Sequence, residues 1–425
     1  MLDIKFVREH PDAVREACRR KKIEADVDGL LQLDQRVREL KTVFDEKKAE
    51  QNRASKSIGK LSPEERPAAL QGVKTLSEAV KDLEAQKKEA EAALRPLLLQ
   101  VPNIPADDVP DGDTDEDNVE LRKVGEPPTF DFEIKDHVEL GRSLDIIDIE
   151  RATRIAGSRT YFLKNEGALL ELAVLRFALD HMVAKGFSPM LVPNLVRRVA
   201  MEGTAYLPGG EEQAYRTVKD EDWLIGTAEV PLTSYRMGDI LEASELPVKM
   251  VGWSNCYRRE AGTYGKDTRG LYRIHQFQKV EQVVLCRADA DESLRWHQEI
   301  LANSEEVLQA LGQPYRVVNV CTGDLGRPQI QKFDIETWMP GRRGYGETPS
   351  ASRFHDFQSR RLDLRYRSET DNRPQFCHTL NNTVIASPRV LIPILENGQQ
   401  KDGSVVIPEA LRPYMRGQEV IEPKQ

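Results

Sequence analysis

A chain of 425 residues is too long for one ordinary core, so its length predicts two domains. With 39% hydrophobic and 31% charged residues it reads as a soluble, charge-rich globular protein, and a formal net charge of −9 excludes a whole-molecule basic field for nucleic acid. The five cysteines (Cys18, Cys256, Cys286, Cys321, Cys377) lack C-x-x-C spacing, which argues against a zinc site and fits reduced thiols in a cytoplasm.

The opening MLDIKFVREH has charges early and no apolar core, unlike a secretory signal. Leu2 to about Arg20 predicts a short helical segment with Pro11 near a helix start. From Leu30 the pattern steps by three and four: Leu30, Leu33, Val37, Leu40, Phe44, Lys47, Gln51. After a break at Gly59 to Pro67 it resumes at Val73, Leu76, Val80, Leu83, Lys87, Ala90, Leu94, Leu97 and Val101. Two such runs around one breaker predict an antiparallel coiled-coil hairpin over about residues 28–100, with a kink or early end at Pro96. Arg36, Lys41, Lys48, Arg53 and Lys56 lie on its outgoing leg and tip. From the residues alone, a solvated charged face and a surface for RNA phosphates both fit.

The Pro/Asp/Gly-rich stretch Pro102 to Asn118 reads as a solvated linker, with domains at 1–110 and 111–425. In the second domain GALLELAVLRFALDHMVAKGF is a helix apolar nearly all round, ended by Gly186. Such a helix has to be covered, by the core or by another subunit. It is too short and too charged, at Glu171, Arg176 and Asp180, to span a bilayer, so no membrane association is expected. A strand, Phe187 to Val192, and Pro193 follow. Thr227-Ala228-Glu229 stands further on and by itself is an ordinary loop or helix cap.

The central stretch is Cys256 to Glu281, CYRREAGTYGKDTRGLYRIHQFQKVE. It reads as two strands around a Gly-rich loop, with Arg258 and Glu260 sharing one face and Phe277, Lys279 and Glu281 another. If the strands pair, an Arg, carboxylates and a ring converge, which suits a nucleoside triphosphate. A hairpin with one charged, solvated face reads the same way. Further on, Glu347-Thr348-Pro349-Ser350 puts a Glu and a Ser three apart, able to place two oxygens on one hard cation; a solvated turn is the alternative. In FCHTLNNTVIASPRVLIPILENG, Ser387 reads as an N-cap and Pro388 as the first helical position, so Arg389 falls in the first turn, where its charge opposes the helix dipole.

Arg258-x-Glu260, Thr268-Arg269-Gly270, Phe277 and Glu281 resemble motif 2 of the class II aminoacyl-tRNA synthetases, and DTRGLYRIHQFQKVE is similar to the version in seryl-tRNA synthetases of bacterial type. The helix–strand–Pro193 order resembles motif 1, and the Arg389 segment resembles motif 3, with Asn382-Thr383 in place of the more common Gly-Ser. The resemblance covers essentially the whole chain. It implies an α+β fold: an N-terminal helical arm, then a catalytic domain on a mainly antiparallel sheet with flanking helices. It implies ATP-dependent activation of serine and transfer to the 3′-terminal ribose of tRNA(Ser), with selenocysteine tRNA left open as a second acceptor.

The implied ATP site is Arg258, Arg259, Glu260, Phe277, Glu347, Thr348, Pro349, Ser350 and Arg389, with Arg258, Glu260 and Arg389 in catalysis. The implied serine site is Thr227, Ala228, Glu229, Arg258, Glu281 and Thr383. Glu347 and Ser350 are the implied Mg²⁺ ligands, and the arm residues grip the long variable arm of the tRNA. A homodimer and a cytoplasmic location are further implications. A carrier-protein ligase of related sequence is disfavoured by the intact hairpin, and a non-catalytic paralogue by the presence of Arg258, Glu281 and Arg389.

Overall fold

The computed structural model describes residues 1–262 and 269–424, so Thr268 lies outside the described residues. The chain forms two compact units, Met1–Pro102 and Asn103–Gln425.

In the first unit Pro11 opens a helix at its first position, so α1 (Ile4–Glu9) and α2 (Pro11–Arg20) are separate. Asp26 caps α3 (Val27–Ser57), its carboxylate accepting from the Gly29 N–H at 2.8 Å. The partner helix α4 spans Arg66–Gln100. Leu30, Leu40, Val80 and Val101 are buried, and the other seam positions from Leu33 to Leu97 are half-buried between exposed neighbours. Both legs thus present the heptad face that the sequence predicts. The Lys87 ammonium lies 4.7 Å over the Phe44 ring, so a polar seam position is also satisfied across the hairpin.

Of the kink or early end expected at Pro96, the early end does not occur: α4 continues to Gln100. Pro96 lies within the last turns, where the buried Leu98 and Leu99 hold the helix. Arg36, Lys41, Lys48, Arg53 and Lys56 are all exposed.

Of the stretch read as a solvated linker, Asn103 to Asn118 belongs to the second unit. Asn103 is buried and its amide donates to the Pro328 and Phe354 carbonyls, while the Ala106 N–H donates to Ile330 and Pro110 accepts from Thr322. Those backbone bonds, invisible in composition, hold an acidic segment against the domain.

The second unit is built on eight strands: β1 (Val119–Val124), β2 (Ser188–Leu191), β3 (Val248–Tyr257), β4 (Gln276–Cys286), β5 (Tyr315–Asn319), β6 (Gln331–Met339), β7 (Gly344–His355) and β8 (His378–Ser387). Their order is β1-β5-β6-β7-β8-β4-β3-β2, antiparallel except for the β2–β3 edge pair. Helices α5 (Asn165–Ala184) and α7 (Ala290–Ala310) cover one face, and their apolar residues form a common core with Val280, Val284, Leu380 and Val384. Between them in sequence lies the short helix α6 (Glu229–Ser234); α8 (Phe357–Leu362) and α9 (Leu391–Gly398) follow β7 and β8.

Helix α5 ends where Gly186 adopts a φ of 80°. It is not wholly covered in this chain. Leu172 and Val183 remain exposed, and Leu191 on the adjoining edge strand is 91% exposed. Among the described residues no helix is long and apolar enough to cross a membrane.

Candidate active site

The sheet's open face carries the site. Tyr257 ends β3, and its N–H donates to the Ile225 carbonyl at 2.8 Å. Arg258 is next, fixed at both backbone ends by His275: its N–H donates to the His275 carbonyl at 2.9 Å, and His275 Nδ1 lies 3.0 Å from its carbonyl. The alternation that puts Arg258 and Glu260 on one strand face does not hold, because the strand has ended and Glu260 has a φ of 53°. The two carboxylate and guanidinium groups still reach the same cavity by way of that turn.

On β4 the pleat acts as expected: Phe277, Lys279 and Glu281 point to one side and line the cavity together. The Arg258 guanidinium lies 5.2 Å over the Phe277 ring. Thr383 of β8 stands directly opposite Glu281, and its hydroxyl donates to Glu281 Oε2 at 3.1 Å.

Glu347 and Ser350 sit on β7, not in a solvated turn. An ideal strand would send residues three apart to opposite faces, but the register slips here: Asp334 of β6 faces Ser350 while Glu336 faces Glu347. This bulge turns both oxygens into the cavity. Pro349 is buried within the bulged segment, where its missing N–H interrupts no regular ladder bond. Burial acts to raise the Glu347 carboxyl, but Arg389, Lys332, Arg258 and Arg273 outweigh it and hold it below the usual carboxylate range.

Arg389 differs from expectation. Strand β8 runs on through Ser387, which pairs with Gln278, so Ser387 cannot cap a helix. Helix α9 starts only at Leu391 and Arg389 stands in the turn before it. The turn is closed by Val390 N–H to Ala386 O and Leu391 N–H to Pro388 O. From there Arg389 donates to the Tyr272 and Glu347 carbonyls, at 3.2 and 3.0 Å, and lies 4.5 Å over the Tyr272 ring.

One cavity of about 230 Å³ therefore gathers Arg258, Glu260, Phe277, Glu281, Glu347, Thr348, Ser350, Thr383, Arg389 and Glu229. Arg259, Pro349, Thr227 and Ala228 do not line it. Thr227 is buried, and its hydroxyl accepts from the Glu229 N–H at 3.1 Å, ordering the start of α6 that delivers Glu229. The sequence reading missed Tyr206, Tyr272, Lys279, Lys332 and Asn381 as cavity residues. Lys279 lies between Phe277 and Glu281 in the alternation, and Asn381 lies two before Thr383, so period two was signal enough for both. Tyr206 is in a distant loop and carried none.

Glu229 accepts from the Tyr206 hydroxyl at 2.7 Å and from the Gln358 amide at 2.7 Å. Burial first, and then the charge of Glu281, push its carboxyl up to about 7. A carboxyl raised above its unfolded value of roughly 4.3 stabilises the fold fully below that value, and the contribution is lost as pH rises through about 7. The stability of Glu229→Gln relative to the unsubstituted protein is thus expected to improve from pH 5 to about 7 and then level off, in urea titrations. A pH-independent difference would show that Glu229 is ionised throughout.

Residues 1–105 match the family described as the seryl-tRNA synthetase N-terminal domain, and residues 214–398 match the tRNA synthetase class II core domain (G, H, P, S and T). A serine–tRNA ligase of Deinococcus radiodurans is 51% identical over 421 residues, covering 99% of each chain. One from Corynebacterium glutamicum is 46% identical over 424 residues, covering 100% of this chain and 99% of its own. Among solved structures, seryl-tRNA synthetase of Pyrococcus horikoshii complexed with ATP superposes with a TM-score of 0.93 at 39% identity, over 100% of both chains. The cytoplasmic serine–tRNA ligase of Naegleria fowleri in complex with AMP gives 0.86 at 33% identity, over 100% of this chain and 99% of its own.

Proposed function

The chain belongs to the seryl-tRNA synthetases, and from that premise we propose how its cavity joins serine to tRNA at the expense of ATP. A serine carboxylate oxygen attacks the α-phosphorus of ATP, the bond to pyrophosphate breaks, and seryl-adenylate forms. The terminal ribose hydroxyl of tRNA(Ser) then attacks the acyl carbon, giving up its proton to a phosphate oxygen, and AMP leaves with the electron pair of the broken acyl–phosphate anhydride bond. No side chain becomes covalent. Catalysis consists of positioning and of neutralising charge at phosphorus.

Arg258 neutralises the α-phosphate and the serine carboxylate, with Arg259 and Glu260 at the nucleotide end. Phe277 and Arg389 flank the adenine, next to the backbone of Thr348 and Pro349. Glu281 and Thr383 read the amine and hydroxyl of serine, with Glu229 beside them and Thr227 and Ala228 acting through it. The observation that carries this reading is the meeting of Arg258, Phe277, Glu281, Thr383 and Arg389 around one cavity. The donor set also suits Mg²⁺: Glu347 and Ser350 supply hard oxygens, and opposite Ser350 the buried Asp334 Oδ1 has no hydrogen-bond partner among the described residues. A Mg²⁺ ion held by Glu347 and Ser350 supplies neutralisation of phosphate charge.

Pyrophosphate exchange screened across the twenty amino acids tests the assignment. Serine is expected to stimulate it above every other; stimulation by another amino acid in preference defeats the reading.

The exposed Leu172, Val183 and Leu191 support a homodimer through α5 and β2. Light scattering is expected to give twice the chain mass, and Leu191→Asp to shift it toward the monomer; a monomeric unsubstituted protein overturns this. The exposed basic residues of the arm support its grip on the long variable arm of the tRNA, by shape and phosphate contacts. A cytoplasmic location accords with five free cysteines.

A further inference from the structure

Lys279 has no role in the assignments above, yet it is one of the most buried charges in the cavity wall, with a side chain only 6% exposed. It comes from β4 on the same face as Glu281, and its ammonium lies 2.6 Å from Glu281 Oε2. It also donates to the Thr383 hydroxyl oxygen at 3.2 Å, while that hydroxyl donates to Glu281 Oε2 at 3.1 Å. The three groups close a triangle across two paired strands. Behind its third corner, the Ser304 hydroxyl of α7 lies within hydrogen-bond reach of both Asn382 Oδ1 and the Thr383 carbonyl.

Hydrogen-bond directions follow from the donor inventory. A lysine ammonium only donates, and an ionised carboxylate only accepts. A hydroxyl has one proton and two lone pairs. Thr383 gives its proton to Glu281 and takes one from Lys279, so it has a single lone pair left and nothing to donate. A ligand hydroxyl meeting Thr383 must therefore arrive as a donor. Without Lys279 the Thr383 hydroxyl could rotate its proton toward the cavity, and two carboxylates, Glu229 and Glu281, would share the pocket without their ammonium.

The geometry points to Lys279 as the positioning residue that sets hydrogen-bond direction in the serine pocket, making Thr383 an acceptor for the substrate hydroxyl. This rests on the serine reading and deepens it: selection of serine over alanine comes from an acceptor held in one orientation, in addition to pocket size. Alanine, lacking the hydroxyl, would leave the remaining Thr383 lone pair unfilled.

Lys279→Met and Lys279→Gln test this by the ratio of kcat/KM for serine to that for alanine in pyrophosphate exchange. Gln removes the charge but keeps an amide donor. The ratio is expected to fall by about tenfold or more in Lys279→Met, with serine KM rising, and by less in Lys279→Gln. An unchanged ratio, or equal loss for both amino acids, overturns the proposal, since a lysine that merely packs would depress both alike. Should Lys279→Met not fold, the ratio in Lys279→Gln decides by the same criterion. Exchange by the unsubstituted protein that ignores serine would instead defeat the functional reading, before any variant is compared.

Discussion

Alanine in place of Arg258 is expected to lower the kcat of serine-dependent pyrophosphate exchange by about 10²- to 10³-fold, or ~3–4 kcal/mol, the range for removing one preorganised donor to a transition-state oxygen. Arg258 is held before any ligand arrives: His275 clasps its backbone on both sides, and the guanidinium rests 5.2 Å above Phe277. Little reorganisation is then required when charge develops at phosphorus. The loss should appear mainly in kcat, because the interaction strengthens as the transition state forms. Arg258→Lys should recover only part of it, since an ammonium lacks the planar fork that engages two oxygens at once. Exchange within threefold of the unsubstituted enzyme in Arg258→Ala would remove Arg258 from the reaction.

The second large effect separates the two steps. Deleting residues 38 to 90 and closing the gap with a short glycine linker is expected to abolish tRNA charging while serine-dependent exchange persists. Each unit closes its own core, and the catalytic cavity is lined entirely from residues of the second. The cut spares Asp34, whose carboxylate is buried and paired with Arg8 at 3.1 Å, so α1 keeps its anchor to the base of α3. Loss of Lys41, Lys48, Arg53 and Lys56 removes cations exposed along the hairpin, and with them, on the proposed reading, the phosphate contacts that supply most of the affinity for a polyanion. Charging at an undiminished rate would show that the hairpin is not what holds the tRNA. Loss of exchange as well would show that activation depends on the arm.

The seam of the hairpin was legible in the sequence, though the effect of Pro96 was not. Every position of the expected seam is at least half-buried, because helical periodicity is a local property that survives any tertiary arrangement. The same holds for β4, where the two-residue pleat put Phe277, Lys279 and Glu281 on one side whatever strand lay next to it.

Local rules failed wherever the sheet overrode them. Ser387 and Pro388 look like a helix start, but pairing with β4 keeps Ser387 extended and delays the helix to Leu391. Glu347 and Ser350 share a cavity only because β7 slips register against β6, and no spacing announces a bulge. The acidic segment after Pro102 looks solvated, and only its hydrogen bonds to 322–330 and Phe354 make it part of a domain.

By itself, then, the amino-acid order determined which residues share a strand face or a helical seam, and through motif resemblance the class of reaction. Tertiary structure alone brought Tyr206, Tyr272 and Lys332 into the same space and set Thr383 directly across from Glu281. The reason is physical: pleat and helix repeat are set by neighbouring residues. The order β7-β8-β4-β3 instead joins residues as far apart in sequence as Gln278 and Ser387, and burial near that junction pushes the Glu229 carboxyl up to about 7.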